Sequence, residues 1–169
     1  MTKALKGEII YLSLGSNLGD RRQNLQDARE LIEKQAVGLR KISKIYQSEA
    51  WGYSSNNDFY NCCLSGITHL EPVALLDTLM EIETSLGRIR KGGGYSDRLI
   101  DIDLLFYGDT IFEQPRLILP HPAMANRRFV LVPLTEIAAE LVHPVSGFTI
   151  NEMLQSCPGT DRVTPVTTW

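Results

Sequence analysis

No apolar run in this chain approaches the ~20 residues that cross a bilayer as a helix, so nothing in it reads as a membrane span. The stretch from Met1 to Glu8 is polar and too short for a secretory signal. Cysteine is scarce, with only Cys62, Cys63 and Cys157. They form no CxxC pair and no Cys/His cluster at zinc spacing. Cys62 and Cys63 are adjacent, so in a strand they point to opposite faces. They read as reduced, buried thiols, and the expected location is cytoplasmic. An excess of one charge is missing too: 17 Lys and Arg stand against 20 Asp and Glu, a net charge of −3. Nucleic-acid coating draws on a basic surplus and is not expected here. Repeats and interdomain linkers are absent. A chain of 169 residues suits one domain, with a core over about 8–156 and frayed ends.

The common phosphate-binding signatures are also missing. Gly15-Ser16-Asn17-Leu18-Gly19-Asp20 lacks the Lys-Ser/Thr of a P-loop and does not fit G-x-G-x-x-G. There is no H-R-D or D-F-G set. Any nucleotide chemistry must use another scaffold.

Periodicity and turn residues predict the elements that are present. Glu8 to Leu14 reads as a strand, followed by the Gly15–Asp20 loop. Asp20 is placed to cap a helix, with Gln23 as a capping-box partner; the helix runs to about Ala36 and stops at Gly38. Lys41 to Glu49 reads as one strand, Ala50 to Asp58 as a loop, and Phe59 to Thr68 as a third strand. Pro72 at a first helical position and Gly87 just past the end bracket a helix with Leu75, Leu79, Ile82 and Leu86 on one face. Lys91 to Asp97 holds three consecutive glycines and is expected to be mobile when empty. Leu99 to Tyr107 reads as a fourth strand, Thr110 to Phe112 as a short return strand, and Pro115 to Pro122 as an extended loop. Asn126 is placed to cap a short helix from Arg127, disturbed at Pro133. Strand, helix, strand, strand, helix, strand is the order of an α+β sandwich on a mainly antiparallel, ferredoxin-like sheet.

The sharpest chemical feature is Asp101-Ile102-Asp103 inside an apolar strand. Side chains alternate, so the two acids share one face, about 7 Å apart at the backbone, and Ile100, Ile102 and Leu104 take the other. The paired acids are either a solvated strand face or a cation site. Carboxylate oxygens of this kind suit magnesium. Arg88, Arg90, Lys91 and Arg98 precede them, and His121, Arg127 and Arg128 follow. Acids for a metal mixed with arginines for phosphate oxygens match a metal–triphosphate ligand, although singly each cation also reads as surface charge. Phe59 and Asn61 point the same way from one strand. They suit either a flat heterocycle or an ordinary core, and Phe129 is open to the same two readings.

Five blocks carry a resemblance: YLSLGSNLGDR (11–21), FYNCCL (59–64), IETSLGRIRK (82–91), DRLIDIDLLFYG (97–108) and LPHPAMANRRFVLVPLTEIAAELVHP (119–144). In this order and spacing the sequence resembles the hydroxymethyl-dihydropterin pyrophosphokinases. The resemblance implies a ferredoxin-like αβα sandwich and pyrophosphoryl transfer from ATP to a pterin alcohol in folate biosynthesis. It also implies two magnesium ions on Asp101 and Asp103, and Arg88 and Arg98 as catalytic-loop arginines. It places Glu83, Arg90, Lys91, Arg98, Leu104, His121 and Arg127 on the ATP side. It places Ser48, Glu49, Trp51, Phe59, Asn61 and Phe129 on the pterin side, the two phenylalanines as a sandwich. The implied partners are the two small molecules alone, with no nucleic acid and no membrane, on a monomer. The chain departs from the family pattern at Ser96-Asp97, where Gly-Pro is usual, at Tyr95, where Trp often sits, and at Pro122 after the histidine. The loop Ser48 to Gly52 also lacks the family's proline. Two rival readings are a nucleotidyltransferase and a non-catalytic ferredoxin-like binding module.

Overall fold

The computed structural model describes residues 6–90, 92–167 and 169. The N-terminal stretch read above lies partly outside them, as does Lys91. Strand β1 (Glu8–Ser16) lies inside the main sheet and is followed in the chain by α1 (Arg21–Gln35), β2 (Gly38–Ile42), β3 (Ile45–Ser48) and β4 (Phe59–Thr68). Helix α2 (Pro72–Ser85) leads to β5 (Asp101–Tyr107). The sheet order is β5-β1-β4-β3-β8, β8 being Val163–Thr167, with β2 also on β4, and every pairing is antiparallel. That order is the expected ferredoxin-like one. A hairpin of β6 (Phe112–Gln114) and β7 (Leu117–Leu119), helices α3 (Arg128–Ala138) and α4 (Ile150–Gln155), and edge strand β8 (Val163–Thr167) complete it. Among the described residues no helix is long and apolar enough to cross a membrane.

Alternation along the strands sends apolar side chains to both faces of the sheet. Leu12, Leu14, Leu64, Ile102 and Leu104 meet Leu25 and Ile32 of α1 and Leu75, Leu79 and Ile82 of α2. On the other face Cys63, Leu105 and Phe106 meet Val130, Leu131 and Leu134 of α3 and Ile150 and Met153 of α4. The two cysteines divide between the layers as adjacent strand residues must.

The local expectations hold in part. Asp20 caps α1 by accepting from the Gln23 N–H at 3.0 Å, but the Gln23 amide bonds Asp27 instead of closing the box. The strand expected over 41–49 is two. Ser43 interrupts it by accepting the Cys63 N–H on its hydroxyl, so a side chain replaces a ladder carbonyl. Asn126 ends a 3-10 turn rather than capping; Arg127 holds the N-cap position without a side-chain bond. Helix α3 runs through Pro133, whose missing N–H is outweighed by the buried face around it. The extended loop at 115–122 contains β7. The stretch after Ser156, read as a polar tail, holds a strand: β8 pairs with β3, and the Trp169 indole donates to the Ser43 carbonyl at 2.8 Å. Pro165 is tolerated because β8 is an edge strand.

Candidate active site

The site begins with register. Gly15 of β1 stands opposite Asn61 of β4 on one side and Asp101 of β5 on the other. Ser13 stands opposite Asp103, and Ser48 of β3 opposite Phe59. These residues share the α3 side of the sheet, beyond the end of its apolar packing. Together they floor a cleft of about 560 Å³. Gly15 keeps that floor open, because a β-carbon there would meet Asn61 Oδ1 at 3.1 Å and the Phe59 ring at 3.5 Å.

One end of the cleft is aromatic. Phe59 and Phe129 line it with Trp51, Tyr95 and Glu49. Asn61, 2% exposed, donates from Nδ2 to Ser48 Oγ at 2.8 Å, which fixes the amide's orientation and leaves its oxygen toward Gly15. Trp51 lies edge-on to Tyr95 at 5.8 Å and tilted against Phe129 at 6.4 Å.

The other end is ionic. Helix α2 ends in a Schellman turn: Gly87 takes φ +93, its N–H bonds the Thr84 carbonyl, and the Arg88 N–H bonds the Glu83 carbonyl. The turn sends Arg88 back over its own helix. Its Nη1 reaches Glu83 Oε1 at 2.8 Å and Asp101 Oδ1 at 2.7 Å. Glu83 is buried, also binds Arg90, and accepts the Ile102 N–H at 2.7 Å. Burial raises its pKa, with Arg88 pulling the other way. Arg98 approaches Asp101 at 3.8 Å, and Arg127 approaches Asp103 at 3.7 Å. Burial and the Asp101 charge raise the Asp103 pKa. Burial, then Arg127, lowers His121 to about 4, so it is neutral near pH 7. Its Nδ1 accepts the Ala123 N–H at 3.2 Å, leaving Nε2 to carry the proton as a donor.

Two buried donors, Arg98 Nε and Arg127 Nε, have no hydrogen-bond partner among the described residues. Unpaired buried donors are costly and rare, and both side chains line the cleft.

The cleft therefore gathers Ser48, Glu49, Trp51, Phe59, Asn61, Arg88, Arg90, Arg98, Asp101, Asp103, His121, Arg127 and Phe129 from the expected set. Glu83 is not in the lining; it sits behind, holding Arg88 and Arg90. Leu104 is 3% exposed and packs in the α1–α2 core, so its side chain is not presented to the cleft. Ser13, Gly15, Gly94 and Tyr95 line the cleft without having been assigned a role. Gly15 was hidden because β1 runs to Ser16, two residues past the predicted strand end. The loop before β5 is not free along its length either: the Tyr95 hydroxyl accepts from Arg127, and Asp97 is tied to Asn17.

Comparison with known proteins bears on this arrangement. The family model for 7,8-dihydro-6-hydroxymethylpterin-pyrophosphokinase (HPPK) matches residues 11–139. The 2-amino-4-hydroxy-6-hydroxymethyldihydropteridine pyrophosphokinase of Porphyromonas gingivalis is 42% identical over 141 residues, covering 80% of this chain and 94% of that protein. Folic acid synthesis protein FOL1 of Dictyostelium discoideum is 39% identical over 153 residues, 89% of this chain, but the chain spans only 22% of that protein. A solved structure of Plasmodium falciparum HPPK-DHPS, wild type with STZ-DHP, shares the fold at TM-score 0.72 and 17% identity, over 92% of this chain and 44% of that one. The chain belongs to the 7,8-dihydro-6-hydroxymethylpterin-pyrophosphokinase family.

Proposed function

We propose that this chain transfers a pyrophosphoryl group from ATP to the hydroxymethyl oxygen of 6-hydroxymethyl-7,8-dihydropterin, releasing AMP, as a step of folate biosynthesis. One observation carries the reading. A single cleft has a fixed amide and aromatic rings at one end, and paired acids among arginines with unsatisfied donors at the other. The first end suits the edge and faces of a flat heterocycle, the second a polyphosphate.

Asn61 reads the pterin edge while Phe59 and Phe129 sandwich the ring. Ser48, Glu49 and Trp51 form the wall beside it. Arg88, Arg90, Arg98 and Arg127, with the His121 Nε2–H, hold phosphate oxygens; Lys91 joins them as the family pattern implies. The pterin hydroxyl oxygen forms a bond to the β-phosphorus and gives up its proton to solvent, the bond from that phosphorus to the α–β bridging oxygen breaks, and AMP leaves with the bridging oxygen's electron pair. The site's oxygen donors, Asp101 and Asp103, fit magnesium, and the raised Asp103 pKa marks a pair that favours a cation between them. Those two acids would hold two magnesium ions, which when bound neutralise charge on the triphosphate. Ser13 and Gly15 leave room for the reacting groups between the two ends. The chain is proposed to act as a monomer, and the free cysteines fit a reducing cytoplasm.

The test is product identity. With ATP, magnesium and the pterin alcohol, AMP and the pterin diphosphate should form in equal amounts, each component being required. Release of pyrophosphate would favour the nucleotidyltransferase reading, and ligand binding without turnover the non-catalytic one.

A further inference from the structure

Two loops border the aromatic end of the cleft: residues 49–58 between β3 and β4, and residues 92–98 before β5. They meet at Asp97. Its Oδ1 accepts from Asn17 Nδ2 and from the Tyr53 hydroxyl, both at 2.9 Å, and its Oδ2 accepts from Asn57 Nδ2 at 2.8 Å. Asn17, at the end of β1, extends the network. Its Nδ2 also donates to the Asn57 carbonyl at 3.1 Å. Its Oδ1 accepts the Arg98 N–H at 2.8 Å, and its own N–H donates to the Arg98 carbonyl at 3.1 Å. The backbone of Arg98 is thus gripped from both sides by one residue. Above the carboxylate, Tyr53 stacks on Tyr95 at 6.4 Å with an interplanar angle of 11°. Asn17, Tyr53, Asn57 and Asp97 all stand outside the cleft lining, while Trp51, Tyr95 and Arg98 belong to it.

We propose that Asp97 is a positioning residue that joins the two loops, setting Arg98, Tyr95 and Trp51 at the aromatic end before substrate arrives. The inference rests on the pterin reading of that end. The residue type follows from donor arithmetic. Donors from Asn17, Tyr53 and Asn57 converge on one side chain, the Ser55 hydroxyl adds a fourth, and a carboxylate accepts them all. An amide at this position would accept two on its oxygen and turn a second donor against Asn57. Hydrogen bonding from the Ser55 hydroxyl, with Asn57, Asn17 and Tyr53, holds the Asp97 carboxyl down to about 2, so the acceptor is charged throughout the neutral range. Joining the loops in advance lowers the ordering needed when a flat ligand binds.

A donor–acceptor swap tests this: Asp97→Asn, Asn57→Asp, and the two together, compared with the wild-type protein. In the double variant the amide donates to the new carboxylate and keeps its oxygen for Asn17 and Tyr53. Asp97→Asn should raise the pterin KM about tenfold, the usual effect of losing a charge-assisted hydrogen bond. In protein without any ligand, its Arg98 amide should exchange with deuterium about tenfold faster. The double variant should restore both. Unchanged exchange and KM in folded Asp97→Asn would overturn the proposal, as would a double variant no better than Asp97→Asn alone. Should Asp97→Asn fail to fold, Tyr53→Phe removes one of these donors and should move both readouts the same way; no movement overturns the proposal. Wild-type protein that makes no AMP from the pterin would instead overturn the functional reading, and the ligand-free exchange would still decide the role of Asp97.

Discussion

Arg88 donates from Nη1 to Asp101 Oδ1 at 2.7 Å, so a guanidinium shares the acid assigned to magnesium. The contact links the cations proposed for phosphate to the acids proposed for magnesium, close to the α2 terminus. If Arg88 works on developing phosphate charge, Arg88→Ala should lower kcat about 100-fold, the size of effect seen when one such donor is removed. Arg88→Lys should recover little, since a point charge does not reproduce the planar fork. Rapid-quench AMP formation gives the rate. Wild-type turnover in Arg88→Ala would remove it from the chemistry.

Glu83 explains why Arg88 is there. Its buried carboxylate faces two arginines and the Ile102 N–H, so removing it leaves that amide unpaired near the core and Arg88 held by Asp101 alone. Glu83→Ala should cost about 3 kcal/mol of stability, as breaking a buried pair commonly does. Urea unfolding measures it, and a loss below about 1 kcal/mol would place the pair in the surface class.

Phe59→Ala and Phe129→Ala should each weaken pterin binding by about 1–3 kcal/mol, by analogy with base stacking, and nucleotide binding much less. Titration calorimetry with each ligand separates the two. Normal pterin affinity beside an early melt would make both rings mere packing.

Much of this was legible in the sequence, for physical reasons. The acids of β5 were found because a period-two pattern places them on one face. The α2 boundary was found because Pro72 and Gly87 have only a few uses. Gly15 was missed because a glycine next to a turn-rich run looks like loop, and only pairing with β4 and β5 shows it in a strand. Strand β8 was missed because its polar, proline-bearing sequence is indistinguishable from a tail until it finds β3. Glu83 was assigned to the ATP side from the family pattern, and the structure sets it behind the cleft lining; its contacts with Arg88 and Arg90 depend on a helix terminus folding back, which spacing does not reveal. Asp97 stood out only as a departure from a family pattern; its donors from Asn17, Tyr53 and Asn57 come from segments 40 to 80 residues away.

His121 sets an acid limit. Its folded pKa, about 4, lies below the ordinary value of 6.5, so the unfolded chain binds the extra proton first. The stability of the neutral, buried ring is present above about 6.5 and is lost progressively as pH falls toward 4. The melting temperature of the wild type should therefore fall more across that window than that of His121→Gln. Parallel curves would show that the ring is not held neutral.

Asp103 tests the account most directly. Burial and Asp101 raise its pKa, and Arg127 offsets this only in part at 3.7 Å, so Asp103→Asn should leave the melting temperature of the protein without metal unchanged or raised. Asp101→Asn should not share that gain, because Arg88 loses the negative charge of its 2.7 Å partner. Turnover should behave oppositely. The amide keeps the shape but removes a charged metal ligand, a loss of several kcal/mol at the transition state, or roughly three orders of magnitude in rate. The measurement is AMP formation by folded Asp103→Asn at saturating ATP, magnesium and pterin. The rate should fall about 1000-fold with the pterin still bound; a rate within roughly tenfold of wild type would rule out Asp103 as a metal ligand.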